Sequence, residues 1–239
     1  MTSASFYIPI PTEPLLFAGF LLRDAGLRQV THPEEADYLI YPCPTPLEAM
    51  CDYCHEAAII GGNLDFLSDN VRRLDLLKDP YYLAENAAIT AEAALGMILS
   101  HLPCSITEGE ILILGWGRIG KGLTHQLAHL NAPLSVFARR QEDRALLSSL
   151  GYHPIAPEEL ERSLDRFRCV VNTAPAVILT EEQGQAFRKD CFKLDLASVR
   201  SIPGDGVFHA RGLPGKHKPE ASGKLIAKTI LRQLGGDGL

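Results

Sequence analysis

The sequence predicts an α/β protein: a Rossmann-type, doubly wound parallel sheet with a smaller N-terminal α/β domain. Strand-like and helix-like segments alternate almost throughout, the pattern of a parallel sheet covered by helices. The apolar run Ile111-Leu112-Ile113-Leu114 leads straight into Gly115-Trp116-Gly117-Arg118-Ile119-Gly120, and an amphipathic helix follows. A chain of 239 residues accommodates two domains, since domains cluster near roughly 100–150 residues.

Residues 5–8 read as a short strand and 15–25 as a helix. Residues 38–41 form the next strand, 46–56 a helix opened by Pro44 or Pro46, and 57–60 a strand closed by Gly61-Gly62. Residues 64–77 read as a helix, so that 1–85 make a small substrate-side α/β domain. Segment 86–102 is Ala-rich, with Ala91, Leu95, Ile98, Leu99 and Leu102 at helical spacing, and stops at Pro103. It predicts a connecting helix. Residues 103–218 carry strands at Ile111–Leu114, Leu134–Phe137, 151–155, Cys169–Asn172, 192–196 and Val207–His209, with a helix over 118–130 and others between. The last helix, 219–235, opens with Pro219 in its first turn and returns to the first domain. Gly223, Ile226, Ala227, Ile230 and Leu234 share its apolar face.

Hydrophobic residues make up 46% and charged residues 22%, an ordinary globular balance. The formal net charge is −6 and no Lys/Arg block stands out, which excludes a nucleic-acid footprint and leaves a small-molecule ligand. The N-terminus MTSASFYIPIPTEPLL lacks a basic region followed by an apolar run, and Pro9, Pro11 and Pro14 would break a signal helix. The longest apolar-leaning stretch, 86–102, contains Glu92 and is too short to span a bilayer. The expectation is a cytoplasmic protein with six reduced cysteines and no membrane partner. A homo-oligomer is open.

Two patterns hint at metal chemistry, and both read more simply. Cys51-Asp52-Tyr53-Cys54-His55 formally matches c-type haem attachment, but the chain carries no export signal and no second pair completes a zinc site. Two thiols one turn apart on a helix are expected. His125 and His129 lie four apart, opposite the apolar stripe of Ile119, Leu123, Leu127 and Leu130, and lack the Glu of His-Glu-x-x-His. They are expected in solvent, and no metal site is predicted.

The Gly-rich loop carries the sharpest chemistry. Gly115 makes the tight turn, Gly117 lets the backbone approach a pyrophosphate, and Gly120 lets the helix pack on the strand. Amides at the helix start then face the phosphates. The cofactor is chosen about 20 residues on, where an acid would bond the ribose of NAD. The strand there ends Val136-Phe137-Ala138-Arg139-Arg140, and the guanidinium forks suit the 2′-phosphate of NADP. Glu142 and Asp143 follow closely and keep NAD open.

Further stretches fall in the same order as a known pattern: Asn86-Ala-Ala-Ile-Thr-Ala-Glu92, Asn172-Thr-Ala-Pro175, Asp195-Leu-Ala-Ser198, and Gly212-Leu-Pro-Gly-Lys216 followed by Pro219 and Ala221-Ser-Gly223. With the Gly-rich loop and Ala138-Arg139, they make the chain resemble the dipicolinate synthase A family from Asn86 to about Ile230. The resemblance implies a bacterial sporulation enzyme of the mother-cell cytoplasm. It implies NADP-linked oxidation of dihydrodipicolinate, or of its hydrated precursor, to pyridine-2,6-dicarboxylate, and a flavoprotein partner, dipicolinate synthase B. The chain departs in two places. Its first domain is shorter than usual, and Val199-Arg200 stand where the family tends to have Lys.

In an open parallel sheet, ligands sit beyond the carboxyl ends of the strands, where 172–175, 197–200 and 212–216 fall. Thr173, Ala174, Pro175, Leu196, Ala197 and Ser198 are therefore expected against the cofactor, together with the loop residues and Ala138 to Arg140. Arg200 and Lys216 are expected near a dianionic substrate. Proton removal falls to His217, beside Lys216, or to Glu92 on the connecting helix. Asn86 and Thr90, one turn apart, are placed to bond a carboxylate, although Asn86 also suits a helix cap. Two alternatives stand beside this reading: an NADP-dependent dehydrogenase of another small carboxylate, such as a 2-hydroxy or 2-amino acid, and a non-catalytic NADP-binding protein that supports a partner.

Overall fold

The computed structural model describes residues 4–49 and 56–235. The chain divides into two compact units, one formed by the described residues of Met1–Ile89 and Pro214–Leu239, the other by Thr90–Leu213.

The first unit runs through β1 (Ser5–Tyr7), α1 (Glu13–Asp24), β2 (Arg28–Gln29), β3 (Tyr38–Ile40), β4 (Ala58–Gly61) and β5 (Arg73–Asp75). These strands pair in parallel in the order β2-β1-β3-β4-β5, which reverses between β1 and β3. Leu15, Ala18 and Leu22 of α1 bury against Phe6, Ile40 and Ile60 of the sheet.

Several expectations change in this unit. Sequence reading gives no strand at β2, whose two residues are both exposed. Main-chain pairing holds them, with the Arg28 amide donating to the Ala4 carbonyl at 2.9 Å. The helix expected over 64–77 is a turn followed by β5 and a single 3-10 turn, Leu76–Lys78. Asp75 accounts for this: its carboxylate accepts from the amides of Asn63, Leu64 and Leu77 at 3.1, 2.9 and 2.9 Å. A side chain that satisfies these amides competes directly with helix formation. Within the helix expected over 46–56, the structure describes a 3-10 turn at Leu47–Ala49, while the Cys51-to-His55 motif lies outside the described residues.

A further change concerns α2 (Pro80–His101), which starts six residues earlier than the expected 86. Asp79 provides the start, its Oδ1 accepting from the Tyr82 amide at 2.8 Å, and Pro80 suits the first helical position. Asn86 is therefore interior to the helix and not a cap. The division between the units falls within α2, at Ile89 and Thr90.

The second unit continues with β6 (Ile111–Leu114), α3 (Arg118–His129), β7 (Leu134–Phe137), α4 (Gln141–Ser149), β8 (His153–Ile155) and α5 (Pro157–Ser163). It closes with β9 (Cys169–Asn172), α6 (Glu181–Gln185), β10 (Phe192–Asp195), β11 (Val207–His209) and the start of α7 (Leu213–His217). All six strands are parallel, in the order β11-β10-β9-β6-β7-β8. That is the doubly wound dinucleotide-binding order, with its switch point between β6 and β9.

β6 is buried along its whole length because helices cover both faces of the sheet. Ile111 and Ile113 pack with Ala91, Ala94 and Ile98 of α2 and with Leu123 and Leu127 of α3. Leu112 and Leu114 join Leu160, Leu164 and Phe167 on the opposite face. The register sets Leu114 level with Phe137 and Asn172, and Asn172 level with Asp195. The four following loops thus leave the sheet side by side. On α3, Leu130 is 37% exposed and falls off the expected stripe, because the helix ends at His129. His125 and His129 point away from the core, His129 exposed. Among the described residues no group of His, Cys, Asp or Glu is arranged to hold a metal.

The last helix, α8 (Pro219–Gln233), belongs to the first unit and packs along α1. A Cβ on Gly223 would come within 2.5 Å of Phe17 Cβ and of the Pro14 carbonyl, so the close approach of the two helices requires glycine. Leu225, Ile226, Ala227 and Ile230 join the core around Phe6 and Leu15. Leu234, expected on this face, is 39% exposed because it lies past the helix end. No helix of the described residues is long and apolar enough to cross a membrane.

Candidate functional site

The Gly-rich loop sits at the switch point of the second unit, between the end of β6 and the start of α3. Gly115 has φ +106°, a left-handed conformation that side chains resist, and its amide donates to the Phe137 carbonyl at 3.1 Å. Gly120 is sealed. A Cβ there would collide with the Gly115 carbonyl oxygen and lie 2.9 Å from Thr173 Oγ1. Gly117 is the opposite case: it is exposed, and a Cβ would meet nothing within 4 Å. It is also the N-cap of α3, so the amides beyond it have no helical acceptors. The loop thus presents a flat backbone surface and a helix N-terminus to open space.

The other loop residues frame this surface. Trp116 turns its ring toward Tyr152, with centroids 6.0 Å apart, and its indole N–H is buried without a partner among the described residues. Lys121 Nζ lies 5.7 Å from the same ring. Ile119 packs partly into the core and Arg118 is exposed.

Beyond β9, Thr173 is committed to the loop rather than to solvent. Its hydroxyl donates to the Leu114 carbonyl at 3.1 Å and its amide to the same oxygen at 2.9 Å. Ala174 Cβ would stand 3.0 Å from a Cβ on Gly115, so the two loops touch. Pro175 is exposed.

Asn172, expected at the ligand end of its strand, is buried, and so is Asp195, whose part in the site sequence reading missed. Asn172 Nδ2 donates to Asp195 Oδ1 at 2.8 Å, while its Oδ1 accepts from the Ala174 amide at 3.1 Å. Asp195 Oδ1 also accepts from the Ala197 amide at 3.2 Å, and Oδ2 accepts from the Ser201 and Ile202 amides at 2.8 and 3.3 Å. Both carboxylate oxygens are therefore occupied, which removes Asp195 as a proton acceptor for substrate. Its visible signal is a carboxylate ending the strand Phe-Lys-Leu-Asp, where a buried acid needs donors. The loop it shapes buries Leu196 and leaves Ser198 and Arg200 exposed, with Ala197 between.

Past β7, Ala138 is buried and donates its amide to the Ile155 carbonyl at 3.3 Å. Arg139 and Arg140 follow, both exposed. Arg140 Nε lies 3.7 Å from a carboxylate oxygen of Glu142 and of Asp143. Those two acids, which kept NAD open in the sequence, are thus already facing a cation. Arg139 has no ion pair among the described residues and presents a free guanidinium past the strand next to the Gly-rich loop.

The remaining candidates spread over both units. Thr90 is buried, Asn86 half-buried and Glu92 exposed along α2. Lys216 and His217 are exposed on α7, in the unit that holds α8. Cysteine chemistry finds no support in the described residues. Burial pushes the Cys43 thiol up to about 11 and Cys191 to about 12, and raises Cys169 well above the ordinary thiol range. Such thiols stay protonated and unreactive.

No family model matches the chain. Dipicolinate synthase A of Bacillus subtilis (strain 168) is 27% identical over 157 residues, covering 62% of this chain and 53% of that protein. The crystal structure of dipicolinate synthase A from Bacillus halodurans superposes with a TM-score of 0.81 at 18% identity, over 98% of each chain. The chain is similar to dipicolinate synthase A. The match in sequence spans about half the length of that curated relative. The fold extends beyond dipicolinate synthase: an L-alanine dehydrogenase superposes with a TM-score of 0.67 at 13% identity, over 97% of this chain and 80% of that one. A two-sheet α/β fold shared with dehydrogenases is the common element.

Proposed function

We propose that the chain is an oxidoreductase of the dipicolinate synthase A type that binds NADP on the second unit. The observation that carries the cofactor reading is the pairing of an open Gly117 surface with a free Arg139 guanidinium past the neighbouring strand. The pyrophosphate would lie on the amides at the start of α3, and Arg139 would take the 2′-phosphate. Ala138, Thr173 to Pro175 and Leu196 to Ser198 would line the bound cofactor, with Gly115 to Gly120 beneath it.

The substrate reading rests on the similarity to dipicolinate synthase A, and is dihydrodipicolinate or its hydrated precursor. Bound NADP supplies an acceptor for the hydride that leaves the dihydropyridine ring. His217 or Glu92 would take the proton lost with that hydride, leaving the aromatic pyridine-2,6-dicarboxylate; the hydrated precursor would first lose water to give the dihydropyridine. Two carboxylates cannot be buried without partners, and Lys216 and Arg200 would supply the positive charges, with Asn86 and Thr90 as hydrogen-bonding groups. The flavoprotein dipicolinate synthase B is the proposed partner, in the cytoplasm of a sporulating cell.

The test is calorimetric titration of the NADP-loaded protein with pyridine-2,6-dicarboxylate. Lys216→Ala is expected to weaken that binding about tenfold, the scale of one charge-assisted bond, with NADP affinity unchanged. Failure of the unmutated protein to bind at millimolar concentration, with and without the flavoprotein, removes the substrate reading and leaves the cofactor reading standing.

A further inference from the structure

We infer that Arg144, which is not among the residues expected to contact the cofactor, is a positioning residue for cofactor discrimination; this rests on the proposed NADP reading of Arg139. β7 ends at Phe137, and the chain keeps sheet pairing only as far as Ala138, whose amide donates to Ile155. The next residues, Arg139 and Arg140, are exposed and precede α4, whose N-cap, Arg140, makes no side-chain cap hydrogen bond. Past the end of the strand, the carbonyls of Ala138 and Arg139 need donors from elsewhere. Arg144 reaches back from the first turn of α4 and meets both: Nη1 donates to the Ala138 oxygen at 2.9 Å and to the Arg139 oxygen at 2.7 Å. Its own amide donates to the Arg140 carbonyl at 3.2 Å.

The three arginines thereby divide the work by geometry. Arg144 fixes the carbonyls on either side of the Arg139 side chain, and so fixes where that side chain leaves the backbone. Arg140 faces Glu142 and Asp143, the two acids that would repel a phosphate. Arg139 alone is left with its full charge outward. Charge-assisted bonds to a half-buried guanidinium are stronger than neutral ones, and they replace partners that a β-strand would have given. Without them the loop gains freedom, and a free loop dilutes the population in which Arg139 faces a 2′-phosphate. Binding of the adenine, ribose and pyrophosphate, which needs no contact from Arg139, is untouched.

Dissociation constants for NADP and NAD are measured by calorimetry on the wild type, Arg144→Met and Arg144→Lys, with thermal melts to verify folding. Arg144→Met should weaken NADP about tenfold and leave NAD within about twofold, so that the preference collapses. Arg144→Lys, which keeps one donor, should retain part of it. Equal losses for both cofactors, or a preference unchanged in Arg144→Met, overturn the assignment. If Arg144→Met does not fold, an unchanged preference in Arg144→Lys overturns it and a reduced one supports it. A wild type that binds NADP and NAD equally overturns the NADP reading itself.

Discussion

Asn172 and Asp195 meet at 2.8 Å at the carboxyl ends of neighbouring strands, and through them the loops after β9 and β10 become one hydrogen-bonded piece. The buried Asp195 carboxylate also takes the Ala197, Ser201 and Ile202 amides. Asp195→Ala would leave these donors without their acceptor. A loss of on the order of 3 kcal/mol in unfolding free energy is expected, since each buried donor left unpaired costs about 1–3 kcal/mol. Urea titration measures it, and a loss under about 1 kcal/mol would show that water substitutes for the carboxylate.

The Gly-rich loop separates binding from stability at two positions three residues apart. Gly117→Val adds a side chain to open space, at a φ of −82° that any residue adopts. It should leave the melting temperature nearly unchanged while abolishing the thermal shift caused by NADP. Gly120→Ala instead drives a methyl into the Gly115 carbonyl and Thr173 Oγ1. That variant should unfold at lower temperature by several degrees, on the overpacking scale of about 1–3 kcal/mol. A surviving NADP shift in Gly117→Val would place the phosphates elsewhere.

The second unit was the more legible half, for a physical reason. Strands covered on both faces read as apolar runs, and Ile111–Leu114, Leu134–Phe137 and Cys169–Asn172 all lie where the sequence puts them. In the first unit, β2 is Arg28-Gln29 and β5 is Arg73-Leu74-Asp75, strands made by long-range main-chain pairing and without an apolar pattern. The false helix over 64–77 failed on one carboxylate, Asp75, whose three amide partners a periodicity count does not register. The same holds at the candidate site. Glycine spacing reveals which positions must be small, but the Thr173 hydroxyl on Leu114 spans 59 residues and only the folded chain shows it.

Cofactor preference should reside in Arg139 and not in its neighbour. Arg139 has no ion pair among the described residues, whereas Arg140 faces Glu142 and Asp143. Arg139→Asp is expected to erase or reverse a preference for NADP of about tenfold or more, a guanidinium–phosphate contact being worth roughly 1.5–3 kcal/mol. Arg140→Ala should change the ratio of affinities by less than about threefold, as exposed pairs contribute little. If Arg140→Ala matters more than Arg139→Asp, the two side chains exchange roles when the cofactor binds.

Acid stability of the first unit should depend on Asp79. Its side chain is almost fully buried and holds α2 and α8 together: Oδ1 takes the Tyr82 amide at 2.8 Å, and Oδ2 takes Arg232 Nη2 at 2.6 Å and Gln233 Nε2 at 2.7 Å. Burial by itself would raise the carboxyl, but the Tyr82 amide, the Arg232 guanidinium and the Gln233 amide together hold it below its ordinary value of 3.8. A folded-state value below the unfolded one means that the unfolded chain binds the proton more tightly. The stabilisation is therefore complete above the unfolded value, from about pH 5 upward, and is lost as the pH falls through about 4 and below. Asp79→Asn should lower stability at about pH 7 by roughly 1–3 kcal/mol, by removing the charge that Arg232 meets at the end of α8. It should also flatten the acid limb, so that variant and wild type draw together as the pH falls below about 4. Urea midpoints between about pH 3 and 7 decide the matter: parallel curves for the two proteins would show that the acid sensitivity of this unit lies in another carboxylate.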